Sequence, residues 1–120
     1  MGQVLITPEG GLGITVFHND DGVLVRLDGH TTVDSSPDLR DRLLQVLAEK
    51  PSPRVVTVDL TGVDHVDASG IATLIEALKI ARHRQTTFCL QGLRGSALRL
   101  FEVTGVLALF ESSDCGQKGS

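Results

Sequence analysis

Asp67-Ala68-Ser69-Gly70 is the stretch of this chain whose residue types could do chemistry. A serine hydroxyl can cap a helix, act as a nucleophile once a base activates it, or accept a phosphoryl group. Upstream lies Arg54-Val55-Val56-Thr57-Val58-Asp59-Leu60, an apolar run rich in β-branched residues that reads as a buried strand. Downstream lies Ile71-Ala72-Thr73-Leu74-Ile75-Glu76-Ala77-Leu78, whose apolar residues recur at helical spacing. The pattern therefore places Ser69 exposed at a helix N-terminus. Free N–H groups and the positive end of the helix dipole favour an anion there.

Nucleophilic catalysis fits the residues poorly. A nucleophile elbow wants Gly-x-Ser-x-Gly, whereas this chain reads Asp-Ala-Ser-Gly-Ile. His65, His83, Asp64 and Asp67 are near in sequence, but a triad is a matter of geometry. A chain of 120 residues also leaves little material for a substrate pocket. Capping needs only Ser69 or Asp67, and it is compatible with phosphorylation.

Other chemistry is sparse. His18, His30, His65 and His83 share no ligand spacing, so no metal and no cofactor are expected. Gly10-Gly11-Leu12-Gly13 and Gly92-Leu93-Arg94-Gly95 lack the Gly-x-x-x-x-Gly-Lys pattern of a phosphate loop. Arg94 reads as a solvated loop residue. Cys89 falls in an apolar strand and Cys115 in a polar tail, so the two are not expected to pair.

The net charge of −4 and the absence of a basic stripe argue against nucleic acid. So does the aromatic count, four Phe with no Trp or Tyr, which leaves little for base stacking. The densest basic stretch, Lys79 to Arg84, falls at a helix C-terminus, where cations favour the dipole. The start Met1-Gly2-Gln3-Val4-Leu5-Ile6 does not read as a signal peptide. No apolar run approaches the ~18 residues of a membrane span. The expectation is a cytoplasmic protein with no membrane insertion.

The elements that must position Ser69 follow from the same pattern. Residues 1–12 form an N-terminal segment with a candidate accessory strand at Val4–Thr7, broken by Pro8-Glu9-Gly10-Gly11. Thr15–His18 and Val23–Leu27 read as a hairpin around Asn19-Asp20-Asp21-Gly22, where Asp-Gly suits a turn with positive φ. Gly29–Ser36 reads as a polar loop, with Ser35 or Ser36 capping a helix that carries Pro37 in its first turn. Leu39, Leu43, Val46 and Leu47 give that helix an apolar face. Pro51-Ser52-Pro53 ends it. After the Val55 strand, the second helix runs to about Arg84 with Ile71, Leu74, Ile75 and Leu78 inward. A strand at Thr86–Leu90 and a helix from Ser96 to near Gly105 follow. Leu107–Phe110 closes the fold, and residues 113–120 form a tail. Strands alternating with helices imply a mainly parallel mixed sheet with an N-terminal antiparallel hairpin, an α/β domain with helices packed on it.

Gly62-Val63-Asp64-His65-Val66-Asp67-Ala68-Ser69-Gly70-Ile71-Ala72 resembles the phosphoserine segment of STAS domains, the bacterial anti-sigma factor antagonists. Val23 to Leu47, with Gly29 and Pro37-Asp38-Leu39-Arg40, resembles that family's second strand and first helix. Leu90-Gln91-Gly92-Leu93 and Leu98-Arg99-Leu100-Phe101-Glu102-Val103-Thr104-Gly105-Val106 resemble its last strand and closing helix. The match covers roughly residues 13 to 112, one STAS domain. Gly29-His30-Thr31-Thr32 departs from the family's usual Gly-Glu-Leu-Asp, with Thr32 where an aspartate is common.

The resemblance implies a binding module rather than an enzyme. Its partner would be an anti-sigma factor of the histidine-kinase-like ATPase type, which releases a sigma factor on binding. That kinase would phosphorylate Ser69 and so end the complex, and a phosphatase would reset it. The implied contact residues are Asp67, Ser69, Gly70, Thr73, Glu76 and Thr32. An alternative implication is a STAS-type scaffold or regulatory subunit of a transporter or stress-signalling complex without a kinase cycle.

Overall fold

The computed structural model describes residues 12–20, 22–31 and 35–111. In chain order they form β1 (Leu12–His18), β2 (Gly22–Thr31), α1 (Ser36–Leu47), β3 (Val55–Val66), α2 (Ala68–His83), β4 (Thr87–Gln91), α3 (Gly95–Val103) and α4 (Leu107–Glu111). The candidate strand at Val4–Thr7, Asp21, Thr32 and the tail lie outside the described residues.

Strand order in the sheet follows chain order, β1-β2-β3-β4. β1 pairs antiparallel with β2, and β2–β3 and β3–β4 pair parallel. The expected mixed α/β architecture is therefore present. Register sets Val23 beside Val56 and Phe88, and Val25 beside Val58 and Leu90. Side chains alternate across a strand, so these residues line one face. Val25, Leu27, Val56 and Val58 are fully buried there against Leu39, Leu43, Leu47 and Leu74 of α1 and α2. Phe101 of α3 and Phe110 of α4 complete this layer. Phe110 meets Phe88 at a ring-centroid distance of 6.3 Å and Phe101 at 6.0 Å. On the opposite face, Leu24, Val55, Thr57 and Asp59 are half-buried and Arg26 and Asp28 exposed.

Helix α1 buries the Leu39, Leu43, Val46 and Leu47 face expected of it. Helix α2 buries Ile71, Leu74 and Leu78, while Ile75 is only half-buried. Helix α3 ends at Val103 with Thr104 as its C-cap, and Gly105 follows at φ +76°, the left-handed position that stops helices.

Three expectations need correcting. Both central strands run further than their apolar cores: β2 continues through Gly29 to Thr31, and β3 through Thr61-Gly62-Val63-Asp64-His65 to Val66. The added stretches pair with each other through irregularities between Arg26 and Asp28 and between Gly29 and His30. Polar residues therefore occupy strand positions that propensity assigns to loops. Second, the required glycine of the first hairpin is not explained by positive φ at Gly22. Its backbone lies so close to the Val55 carbonyl that a Cβ would collide with it. Third, Cys89 is disulfide-bonded rather than an unpaired core thiol.

Candidate functional site at the start of the second helix

Parallel β2 and β3 each hand the chain to a helix at their C-terminal ends, so α1 and α2 begin side by side. Ser36 opens α1 and Ser69 lies in the first turn of α2. Their hydroxyls meet. Ser36 Oγ donates to Ser69 Oγ at 2.9 Å, and Ser69 Oγ donates to Asp67 Oδ1 at 2.7 Å. The same Asp67 oxygen accepts the Gly70 N–H at 3.1 Å. Asp67, at φ −103° and ψ −177°, is therefore the N-cap of α2. Ser69 is not the cap, and its hydroxyl is held between a donor and an acceptor.

Ser69 is half-buried rather than exposed. Gly70 and Thr73 are buried, which corrects the expectation that they form an open contact surface. Thr73 instead bonds its Oγ1 to the Ser69 carbonyl at 3.0 Å and stiffens the first turn. Glu76, one turn further along, is taken up by Arg40 of α1. The Arg40 Nε and Nη2 both reach its carboxylate at 2.9 Å, a forked ion pair linking the two helices. Thr32 lies outside the described residues, so its relation to Ser69 is left to experiment.

The electrostatics follow from these bonds. The Ser69 hydroxyl holds the Asp67 carboxyl below its usual range, helped by the Gly70 N–H and opposed by desolvation. Asp67 is thus an anion at neutral pH, aimed at the serine it orients. Arg40 lowers Glu76 in the same way, through its hydrogen bonds and then its charge. The rim beyond β3 is tied down by α3. Arg94 Nη2 donates to the Thr61 carbonyl at 2.9 Å, and Ser96 Oγ to that of Asp64 at 3.3 Å. Arg94 is thus the exposed loop residue expected of it, and its guanidinium also ties that loop to β3.

Ser36 is the member of this site that sequence reasoning missed as a contact of Ser69. It figured there as a candidate cap, yet no side-chain cap bond forms at the start of α1. A serine at the start of each of two helices that follow neighbouring parallel strands is the signal that could have found it. Among the described residues, no group of three or more His, Cys, Asp or Glu side chains could hold a metal. An open groove of about 500 Å³ lies elsewhere, lined by Leu24, Val55, Thr57 and Gln91 among others, and shares no residue with the Ser69 network.

Residues 14–111 match the family model described as "Mlab, STAS domain". The chain belongs to the STAS domain family. The anti-sigma-B factor antagonist of Bacillus subtilis is 23% identical over 108 residues, covering 90% of this chain and 96% of that protein. The protein of the same name from Listeria monocytogenes is 39% identical over 57 residues, covering 48% of this chain and 50% of its own length. Among solved structures, an anti-sigma factor antagonist from Mycobacterium paratuberculosis superposes with a TM-score of 0.72 at 20% identity, covering 88% of this chain and 87% of its own. That likeness establishes a shared fold. No helix among the described residues is long and apolar enough to cross a membrane.

Proposed function

We propose that this STAS domain is an anti-sigma factor antagonist whose Ser69 is a phosphorylation switch. Its partner is an anti-sigma factor of the histidine-kinase-like ATPase type, and binding that partner in the cytoplasm frees a sigma factor. The observation that carries the reading is the Ser69 hydroxyl, fixed between Ser36 and Asp67 at the start of α2. Similarity over nearly the whole chain to a protein named anti-sigma-B factor antagonist supports it.

The chemistry is a phosphoryl transfer in which this chain is the substrate, not the enzyme. The Ser69 O–H bond breaks and an Oγ–P bond forms, as the bond between the γ-phosphorus of ATP and the oxygen bridging it to the β-phosphate breaks and ADP leaves. Asp67 orients the hydroxyl and is the first acceptor in reach of its proton. Its lowered pKa makes it a poor final holder, so the proton passes on to the surroundings. The product carries about −1.5 to −2 charges beside the Asp67 carboxylate. Within the domain, two helix N-termini offset that charge. At a packed partner surface the same group brings bulk and a desolvation cost. A loss of ~3–4 kcal/mol would weaken the complex several-hundred-fold. A phosphatase then restores the binding form.

The contact surface centres on Ser69 and Asp67, with the Arg40–Glu76 pair at its edge; Thr32 is a further contact that its substitution by Asp would test. Gly70 and Thr73 act from beneath by shaping the turn. The test is incubation with ATP and the anti-sigma kinases of the source organism, followed by mass spectrometry. Phosphate on Ser69, absent from Ser69→Ala, is the expected result. Stable binding to a transporter subunit with no phosphate on Ser69 would overturn the proposal.

A further inference from the structure

β1 is an edge strand that lacks the usual protection of an edge. Edge strands are commonly short, bulged, or marked with Pro or charge, because their unpaired N–H and C=O groups invite another strand. Leu12-Gly13-Ile14-Thr15-Val16-Phe17-His18 holds no Pro, Lys, Arg, Asp or Glu. Its seven residues pair with β2 in unbroken register, whereas β4 at the opposite edge has only five.

The hairpin fixes which backbone groups of β1 face outward. Asn19 N–H donates to the Gly22 carbonyl at 2.9 Å, and Gly22 N–H to that of Asn19 at 3.3 Å. Bonded and non-bonded pairs alternate along an antiparallel ladder. Phe17, Thr15 and Gly13 therefore bond inward to β2. Leu12, Ile14, Val16 and His18 turn their N–H and C=O groups to the outer edge. Among the described residues no strand takes them up.

We propose that this edge pairs with β1 of a second copy, antiparallel about a twofold axis at Thr15, so that two sheets become one. In that register β1 overlaps its copy over its whole length and is complementary to itself. Ile14 lies opposite Val16 of the second copy, and Leu12 opposite His18. These are the residues whose backbone groups face outward, so they form the hydrogen-bonded pairs. Thr15 meets its own copy, and Gly13 meets Phe17 of the second copy, as the closer, non-hydrogen-bonded pairs. A threonine pair is favourable across strands. Gly13 has no side chain, so the opposing Phe17 ring can lie over its backbone, as aromatic residues do across from edge glycines. Phe17 is 38% exposed in the single chain. On the other face, Leu12 and Ile14 belong to the core and Val16 packs against it only half-buried. Ile14 of the second copy would complete its cover. A slip of one residue would turn the apolar set to the wrong face, so the register is specified. The strand carries no Asp, Glu, Lys or Arg to repel its copy. The proposal is independent of the Ser69 switch, whose hydroxyls lie at the starts of α1 and α2.

The experiment uses the full chain. Sedimentation equilibrium over a dilution series should show the mass rise with concentration from 12.8 kDa toward twice that value. Amide exchange should read the strand residue by residue. Ile14, Val16 and His18 should exchange several-fold more slowly as concentration rises, while Thr15 and Phe17 stay protected throughout. Val16→Pro removes an outward N–H and leaves every bond to β2 in place, as edge strands allow. It should abolish the dimer with the circular dichroism spectrum unchanged. Thr15→Lys sets two ammonium groups against each other at the twofold axis and should weaken the dimer several-fold. It carries the test if Val16→Pro does not fold. A monomer at every concentration, or a dimer that Thr15→Lys leaves intact, would overturn the proposal. So would protection of Ile14 and Val16 that is independent of concentration, which would place a segment of the same chain on this edge.

Discussion

Removing the Ser69 hydroxyl breaks two hydrogen bonds, the one accepted from Ser36 and the one donated to Asp67. Each is worth about 0.5–1.5 kcal/mol net. Ser69→Ala should therefore fold, with a modest loss in denaturant midpoint, and should bind the partner without accepting phosphate. Stoichiometric phosphate on that variant would refute the assignment. Ser36→Ala leaves the acceptor in place but frees Ser69 to rotate. It should slow phosphate uptake several-fold while sparing partner binding, and equal uptake rates in the two proteins would count against a positioning role for Ser36. Asp67→Ala removes the cap of α2 and should cost about 0.5–2 kcal/mol. Acidity probes the same residue. The folded pKa of Asp67 is depressed, so the folded state binds fewer protons than the unfolded one. The stability this confers is complete above the unfolded value of about 3.9 and is lost as pH falls through the folded pKa below it. Asp59, held down by hydrogen bonds from Thr61 and Gln91 against desolvation, and Glu76 add to the same acid-side loss. Asp67→Asn should flatten that part of the stability-against-pH curve, as followed by urea unfolding below pH 4.

At the scale of elements, the β2–β3 junction is the tightest fit. An added methyl at Gly22 meets the Val55 backbone carbonyl, which cannot swing aside as a flexible side chain would. Gly22→Ala should destabilise by about 1–3 kcal/mol, which for a domain this small means roughly 4–8 °C in Tm per kcal/mol. An unchanged melting curve would mean that the hairpin shifts freely. The Arg40–Glu76 fork joins α1 to α2 but is close to half exposed on both sides. Surface pairs contribute about 0–1 kcal/mol, so Glu76→Gln should barely move stability and should be read for partner affinity instead. Much of this layer is legible in the sequence. The 3.6-residue periods of Leu39 to Leu47 and Ile71 to Leu78, and the β-branched run at Val55, each announce their element. What hides is non-local. The Ser36–Ser69 bond joins residues 33 apart across a crossover. The strand ends at Gly29–Thr31 and Thr61–Val66 pair only because each finds the other, against the polarity of both.

For the whole molecule, the switch should work by excluding the partner rather than by refolding the domain. A phosphate on Ser69 adds about −1.5 to −2 charges to a chain whose net charge is −4. It arrives at the starts of α1 and α2, where helix dipoles favour an anion by roughly 0.3–1 kcal/mol each at exposed sites. Asp67 at the same spot opposes it, and the bond that Asp67 accepted from the serine is lost. These effects are of similar size and opposite sign, so Tm should shift by only a few degrees. The core has no reason to rearrange: Val25, Leu27, Leu43, Leu47, Val56, Val58 and Leu74 are fully enclosed away from the charge. Partner affinity has no such compensation, because a desolvated interface meets the full bulk and charge of the group. Amide spectra of the two forms should therefore differ around Ser36, Asp67, Ser69 and Thr73 and coincide across Val56–Val58 and Leu43–Leu47, while the partner's Kd rises several-hundred-fold. Shifts spread through β3 and α1 would instead mean that phosphorylation moves α1 against the sheet, and exclusion at the surface would not be the mechanism.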